Sequence, residues 1–444
     1  MKKIVFIIII IIIIVIITIC KKYNDIKIWI LNRIIVLRGI LSPDRFWYKI
    51  SDLVLSDGAG VNLYNDLKKD NKDFAETSMF DKKIYVVMNN DYRKTILDNS
   101  PNLFQVGELK KTFFKSFMAK NVGVSSGCPW AKRRKINEVA LDTNKLHRYY
   151  KKYNRDIYHY LLDWKDETKI GYNEFNDFGK YLVTKIVFNV DNIDNNIYQI
   201  FTEANTLEVF YNDQFKIKPE IFNKYKETIY YYLENPRPQS LIELCLKVSQ
   251  NKEEILHQIP HFMFPIISIT LSVIPRLIIL ILNHKNVFEK VIKEINSTSD
   301  NSKLFYVRKC IMESLRLNNL VTTTFRTLSR DFSFDEKYSF KKGTQFLILN
   351  NPVLRESEYF EKPNEFIPER WTNEMEESYY AISFSQGPQK CPGKDLSIYL
   401  CQSFIGNFFK IKNINENTLI KMNQLNTKDI PQIINPFSIN IKFD

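Results

Sequence analysis

Glycine is scarce in this chain, 12 of 444 residues, and no Pro/Gly/Ser-rich linker or internal repeat interrupts it. Length alone suggests about 150 residues per domain, yet without linkers the sequence reads as one compact body behind its N-terminal segment. The six cysteines (Cys20, Cys128, Cys245, Cys310, Cys391 and Cys401) form no CxxC pair and are too sparse for a disulfide scaffold. The five histidines (His147, His159, His257, His261 and His284) show no zinc spacing. His257 and His261 lie four apart but have no carboxylate between them to act as a base, so they read as core or groove residues. A Walker loop, a complete GxGxxG and HExxH are all missing, which sets aside the common nucleotide and metalloprotease chemistries. The net charge of +13 is spread along the chain without a nucleic-acid motif. No nucleic-acid partner is expected; an anionic membrane surface or an acidic protein partner accounts for the charge.

What is present first is apolar. Hydrophobic residues make up 45% of the chain, enough for a large core. Residues 4–20 are almost purely aliphatic, with Thr18 the clearly polar exception. As a helix they span roughly 25 Å, near the short limit for a bilayer. Cys20 is followed by Lys21, Lys22 and Tyr23, a poor cleavage site, so a retained signal-anchor is favoured over a cleaved signal peptide. Lys21, Lys22, Lys27 and Arg33 outnumber Lys2 and Lys3, which predicts a single-pass protein with its body in the cytosol, as at the endoplasmic reticulum. Residues 26–41 mix Trp29 with aliphatics and basic residues; they fit a helix on the membrane surface or an ordinary packed helix equally. The domain expectation is a transmembrane signal-anchor at 1–22, a membrane-proximal amphipathic segment at 23–45 and a catalytic domain at 46–444.

The body reads as mainly α with small β-sheets. Residues 83–88 (KIYVVM) are a strand, and 91–250 carry helical spacing broken near Pro101, Pro129 and Pro236 to Pro238. Residues 255–282 are long and apolar enough to suggest a second membrane span, but His257, His261 and three prolines favour a buried core helix. Helices follow at 287–295 and 304–317. Residues 332–350 alternate around a Gly343-Thr344 turn and read as a strand pair. Pro-punctuated coil covers 352–371, and a last helix runs from after Gly393 to about Phe409.

Residues 384–393 read FSQGPQKCPG, a turn-rich loop that presents Cys391 just before that last helix. Unpaired N–H groups and the positive dipole end there favour a thiolate, a soft ligand suited to iron. This loop resembles the haem-binding signature of the cytochrome P450 family, Phe-x-x-Gly-x-Arg-x-Cys-x-Gly, through Phe384, Gly387, Cys391 and Gly393; Gln389 stands where the family has Arg. Further matches fall in family order. Glu313 and Arg316 (MESLRL) resemble the Glu-x-x-Arg pair, and Arg370 (FIPERW) the arginine that completes a Glu-Arg-Arg network. Trp130 and Arg134 (PWAKRRK) resemble the Trp-x-x-x-Arg that reaches a haem propionate, and Arg326 sits where another propionate arginine is common.

The resemblance implies the cytochrome P450 fold, haem b (iron protoporphyrin IX) as cofactor and Cys391 as axial ligand to its iron. It also implies a monooxygenase that inserts one oxygen atom from O2 into a lipophilic substrate, a lipid or sterol among the candidates, with electrons from an NADPH-dependent flavoprotein reductase. Lys132, Arg133, Lys135, Lys390 and Lys394 offer a basic patch for such a partner, or simply a solvated face. One motif departs from the family. The oxygen-activating segment, Ala/Gly-Gly-x-Asp/Glu-Thr, aligns with 265–270, PIISIT, which lacks the acid. Ser268 and Thr270 are the catalytic candidates there, and Pro265 should kink the helix. This departure keeps two alternatives open: an atypical haem-thiolate enzyme that uses peroxide or rearranges an oxygenated lipid, and a degenerate, non-catalytic haem protein.

Overall fold

The computed structural model describes residues 61–79, 82–204, 217–414, 439 and 441–442. The expected anchor at 1–22 and amphipathic segment at 23–45 lie outside the described residues. The strands are β1 (Phe74–Met79), β2 (Lys82–Val87), β3 (Phe104–Val106), β4 (Lys169–Ile170), β5 (Thr323–Leu328), β6 (Phe332–Ser333), β7 (Ser339–Phe340), β8 (Gln345–Leu349) and β9 (Ile441–Lys442). The principal helices are α1 (Val61–Lys68), α2 (Asn90–Asp98), α3 (Glu108–Met118), α4 (Gly127–Leu141), α5 (Tyr150–Leu162), α6 (Tyr172–Val183), α7 (Pro219–Glu234), α8 (Ile259–Ser268), α9 (Ile274–Leu282), α10 (Lys285–Ser297), α11 (Phe305–Leu317) and α12 (Lys394–Ile411).

The main sheet has five strands in the order β1-β2-β8-β5-β3. β2 and β8 pair in parallel and the other pairs are antiparallel. The 332–350 region corrects the simple strand pair expected there. β6 and β7 form their own short ladder, while β8 inserts between β2 and β5. The reason lies in composition: Phe346, Leu347, Ile348 and Leu349 are all buried, as befits a central strand covered on both faces.

α12 is the central helix, buried nearly all round from Leu396 to Phe409, which is what a helix with apolar residues on every side requires. Its Phe404 packs on Phe178 of α6 at 5.2 Å between ring centroids, and Trp164 stacks edge-on to the same Phe178 at 5.8 Å. Its polar residues are satisfied: the Ser403 hydroxyl donates to Asn154 Oδ1 at 2.6 Å, and Asn301 Nδ2 donates to the same oxygen at 2.7 Å.

α8 and α9 form one long rod joined by a π-helical turn at Ile269–Val273. Helix Lys252–Leu282 is long and apolar enough to cross a membrane, but 67% of its most apolar window is buried inside the protein, which fits a core helix. Pro265 lies inside α8 and Pro275 at the start of α9. Neither can donate to the carbonyl four residues back, and the wide π turn falls between them. The expected irregularity therefore sits four residues beyond Pro265.

Candidate functional site

The loop that carries Cys391 is held by backbone. The Cys391 N–H donates to the Phe384 carbonyl at 2.8 Å and the Lys390 N–H to Gly387 O at 2.9 Å. Gly387 has φ +69°, and a Cβ there would lie 2.5 Å from the Leu97 carbonyl of α2. That position needs glycine for both conformation and closeness. From the other side, Arg134 Nη1 donates to Lys390 O at 2.7 Å and Thr143 Oγ1 to Pro392 O at 2.8 Å. α4 and its C-terminal turn thus clamp the loop. Gly393 caps the start of α12, and Phe384 is half-buried.

The position before a helix predicts a lowered thiol pKa. The balance runs the other way: burial pushes the Cys391 thiol up, opposed by a hydrogen bond from the Gly393 backbone and by the charges of Arg134 and Lys394. Desolvation of the thiolate outweighs the helix terminus. Of the other described cysteines, Cys245, Cys310 and Cys401 are buried and Cys128 is exposed.

Glu313, Arg316 and Arg370 come together. Arg316 donates from Nε and Nη2 to the two Glu313 oxygens, each at 2.8 Å, and Arg370 Nε adds a bond at 3.1 Å. Trp371 Nε1 and the Ile367 N–H complete the carboxylate at 2.9 and 3.0 Å. Arg316 also donates to the carbonyls of Leu354, Pro363 and Glu365. Trp371 and Ile367 lie within FIPERW, and their part in this network was not read from the motif.

Arg134 pairs with Glu138 at 2.8 Å, and Trp130 is half-buried on the same helix. Arg326 is buried; its Nε donates to Ser100 Oγ at 2.9 Å and its Nη1 to Phe325 O at 2.9 Å. Burial lowers its pKa to about 10. β3 places Val106 opposite Arg326, so the chain enters α3 beside it and brings Lys110 near. Lys110 makes no ion pair among the described residues. Burial, and then the Arg326 charge, push it down to about 8. Sequence reasoning missed Lys110, because nothing in KKTFFK distinguishes it from Lys111, which pairs with Glu108 at 2.9 Å.

His261 on α8 is the second residue missed. Its Nδ1 is buried without a partner. Burial, then the charges of Lys110 and Arg134, lower its pKa to about 4. Cys391 and His261 are half-buried, and Lys110 is exposed.

Along the rod, His261, Phe264, Ser268, Leu271 and Ser272 keep accessible surface at helical spacing, so they share a face. The Ser268 hydroxyl donates to Phe264 O at 2.9 Å. Thr270 is fully buried on the other side, its hydroxyl bonded to Ile267 O at 2.9 Å. There it meets α6, where a Cβ on Gly179 would lie 2.4 Å from Thr270 Oγ1. The structure therefore separates the two catalytic candidates.

The basic patch is mostly neutralised. Arg133 contacts Ser125 and Glu254, Lys390 pairs with Glu377, and Lys394 pairs with Glu376 at 2.9 Å. Lys132 and Lys135 remain exposed without an ion pair among the described residues.

A family model described as Cytochrome P450 matches residues 180–411, more than half of the chain. The chain belongs to the cytochrome P450 family. Among curated relatives, this P450 is 36% identical over 112 residues to a (21S)-21-acetyl-1-hydroxy-apo-melianone synthase from Melia azedarach, covering 25% of the chain and 23% of the synthase. It is 33% identical to aromatase from Callithrix jacchus over 29% of the chain and 27% of that enzyme. It is 26% identical to cytochrome P450 3A15 from Cavia porcellus over 44% of the chain and 43% of that protein. The matched stretches thus span less than half of each relative. A cytochrome P450DA mutant heme domain aligns over 80% of the chain and 87% of its own, with a TM-score of 0.67 and 15% identity. P450BioI, solved with a hexadec-9Z-enoic acid ligated acyl carrier protein, aligns over 80% of the chain and 91% of its own, with a TM-score of 0.62 and 14% identity. These two show the shared fold.

The family implies haem, and the residues fit it. A macrocycle with two carboxylates needs an interior space, a soft ligand and buried cations. Cys391 is half-buried in its loop, Arg134 donates to that loop, and Arg326 is a buried cation without an ion pair among the described residues.

Proposed function

We propose that the protein is a membrane-anchored haem-thiolate monooxygenase acting on a lipophilic substrate, with haem b as cofactor and Cys391 as its axial ligand. The observation that supports this is the backbone-held Cys391 loop clamped by Arg134, in a fold whose buried Arg326 has no ion pair among the described residues. Bound there, haem supplies the activation of O2 that inserts one oxygen atom into substrate.

The chain's own residues would do the rest. Phe384, Gly387 and Gly393 shape the loop, so that Cys391 presents its Sγ from a fixed backbone. Trp130, Arg134 and Arg326 would hold the haem propionates. Glu313, Arg316 and Arg370 tie α11 to the segment before the loop. Phe264 and Leu271 present apolar surface to a lipophilic substrate and exclude water. Ser268 Oγ is the hydroxyl on that face able to pass a proton by way of water. No chemistry is assigned to Thr270, whose hydroxyl is turned into the core. Electrons would come from an NADPH-dependent flavoprotein reductase docking near Lys132 and Lys135, with the body held at a membrane by residues 1–22.

A second reading has its own observation. Residues 259–282 contain no Asp or Glu, so the helix offers no carboxylate to relay protons. That favours an enzyme that takes peroxide or rearranges an already oxygenated lipid. Substrate turnover with a reductase and NADPH, run beside turnover with hydrogen peroxide, separates the two. Oxidation in the first supports the monooxygenase and oxidation only in the second supports the alternative. Oxidation in neither leaves a non-catalytic haem protein.

A further inference from the structure

One buried side chain joins three elements around the site. Gln258 stands immediately before α8 and is fully buried. Its Nε2 donates to Lys120 O at 2.8 Å and to Glu254 O at 2.9 Å. Its Oε1 accepts from the Val122 N–H at 3.0 Å, from Asn137 Nδ2 at 3.1 Å and from Asn121 Nδ2 at 3.4 Å. Both donors and both lone pairs of the amide are therefore used. A polar group satisfied this completely in the interior holds its neighbours in one arrangement.

Those neighbours lead to both halves of the site. Lys120, Asn121 and Val122 form the turn between α3 and α4, and Asn121 Nδ2 also donates to His257 O at 3.0 Å. Asn137 belongs to α4 and is itself fully buried. Three residues before it on the same helix, Arg134 donates to Lys390 O in the Cys391 loop at 2.7 Å, and beyond the helix Thr143 holds Pro392 O at 2.8 Å. α4 is thus a strut fastened to the Cys391 loop through Arg134 and Thr143, and to the rod that carries Ser268 through Asn137. Arg133 and Glu254 add a longer ion pair at 3.5 Å between the strut and the start of the rod.

Resting on the haem reading above, we propose that Gln258 is a positioning residue: through Asn137 and α4 it sets the gap between the Cys391 loop and the rod, and with it the space left for haem and substrate. Without the amide, the Val122 N–H and the Lys120 carbonyl lose their buried partner and α4 is free to shift against the rod.

The test reads the infrared C–O stretch of the reduced, carbon-monoxide-bound holoprotein, which responds to the dipoles and atoms around the bound gas. Q258M keeps the side-chain volume and removes every bond of the amide. N137L cuts the link to α4 and leaves the Gln258 bonds to the turn, so it carries the test where Q258M folds poorly. Both should shift or split the C–O band while the thiolate-type absorption band stays. Y225F is the control: it removes a hydroxyl bond from α7 to Leu256 O, 3.0 Å long, at the same end of the rod but not through α4. It should lower the urea midpoint and leave the C–O band in place. A C–O band unmoved in Q258M and N137L would overturn the proposal, since both would then act on stability alone. A shift in Q258M without one in N137L would overturn it too, by assigning the effect to the turn instead of α4. So would an equal shift in Y225F, which would make any loosening of the rod sufficient. Absence of a thiolate-type band in the unaltered protein would instead sink the haem reading itself, and this proposal with it.

Discussion

Removing the Glu313 carboxylate should be among the most damaging single changes in the chain, and its size follows from the network. Glu313 is fully buried and accepts from Arg316 Nε and Nη2, Arg370 Nε, Trp371 Nε1 and the Ile367 N–H. Glu313→Ala leaves the equally buried Arg316 guanidinium without a counter-ion. Breaking a buried pair from one side costs about 3–5 kcal/mol, against a total stability of about 5–15 kcal/mol. Arg316→Met alone should cost less, because Arg370, Trp371 and Ile367 still satisfy the carboxylate. The double variant Glu313→Leu with Arg316→Met should be less destabilised than the sum of the singles, since neither charge is then stranded. Urea unfolding followed by far-ultraviolet circular dichroism measures all three. A Glu313→Ala protein within about 1 kcal/mol of the unaltered chain, or strict additivity in the double variant, would refute the reasoning.

Three further outcomes follow from single positions. Gly387→Ala meets both a left-handed φ of +69° and the Leu97 carbonyl at 2.5 Å; we expect a loss of about 1–3 kcal/mol and poor haem retention, checked by urea midpoint and pigment yield. Gly179→Ala drives a methyl group to 2.4 Å from Thr270 Oγ1, and Thr270→Ala should relieve most of that cost, as a thermal-melt comparison would show. Burial lowers His147 to about 4 from 6.5. Its unfolded form therefore takes a proton first, so stability should fall as pH drops from about 6.5 toward 4 and be complete above that window. Unfolding titrations across that range should flatten in His147→Asn.

The legible part of this protein was its local chemistry. FSQGPQKCPG announced a tight loop before a helix because Gly387, Pro392 and Gly393 leave the backbone few options. MESLRL and FIPERW announced partners for one buried carboxylate. The order of the sheet was not legible, since β8 reads like any hairpin strand and its insertion between β2 and β5 depends on contacts distant in sequence. Nor was the direction of Thr270. One residue of phase around a helix decides whether a hydroxyl faces an open side or Gly179, and the π turn at Ile269–Val273 shifts that phase locally. His261 stayed hidden because a buried ring nitrogen without a partner among the described residues is a property of space rather than of spacing. The pairing of Lys390 and Lys394 with Glu377 and Glu376 was hidden for the same reason.

The most direct measurement is the absorption spectrum of the reduced, carbon-monoxide-bound protein, taken for the unaltered chain, Cys391→Ala and Cys401→Ala. Cys401 is buried in α12 and serves as the control. Our account predicts a thiolate-type band that Cys391→Ala abolishes and Cys401→Ala preserves. A band that survives Cys391→Ala, or disappears only with Cys401→Ala, would contradict it.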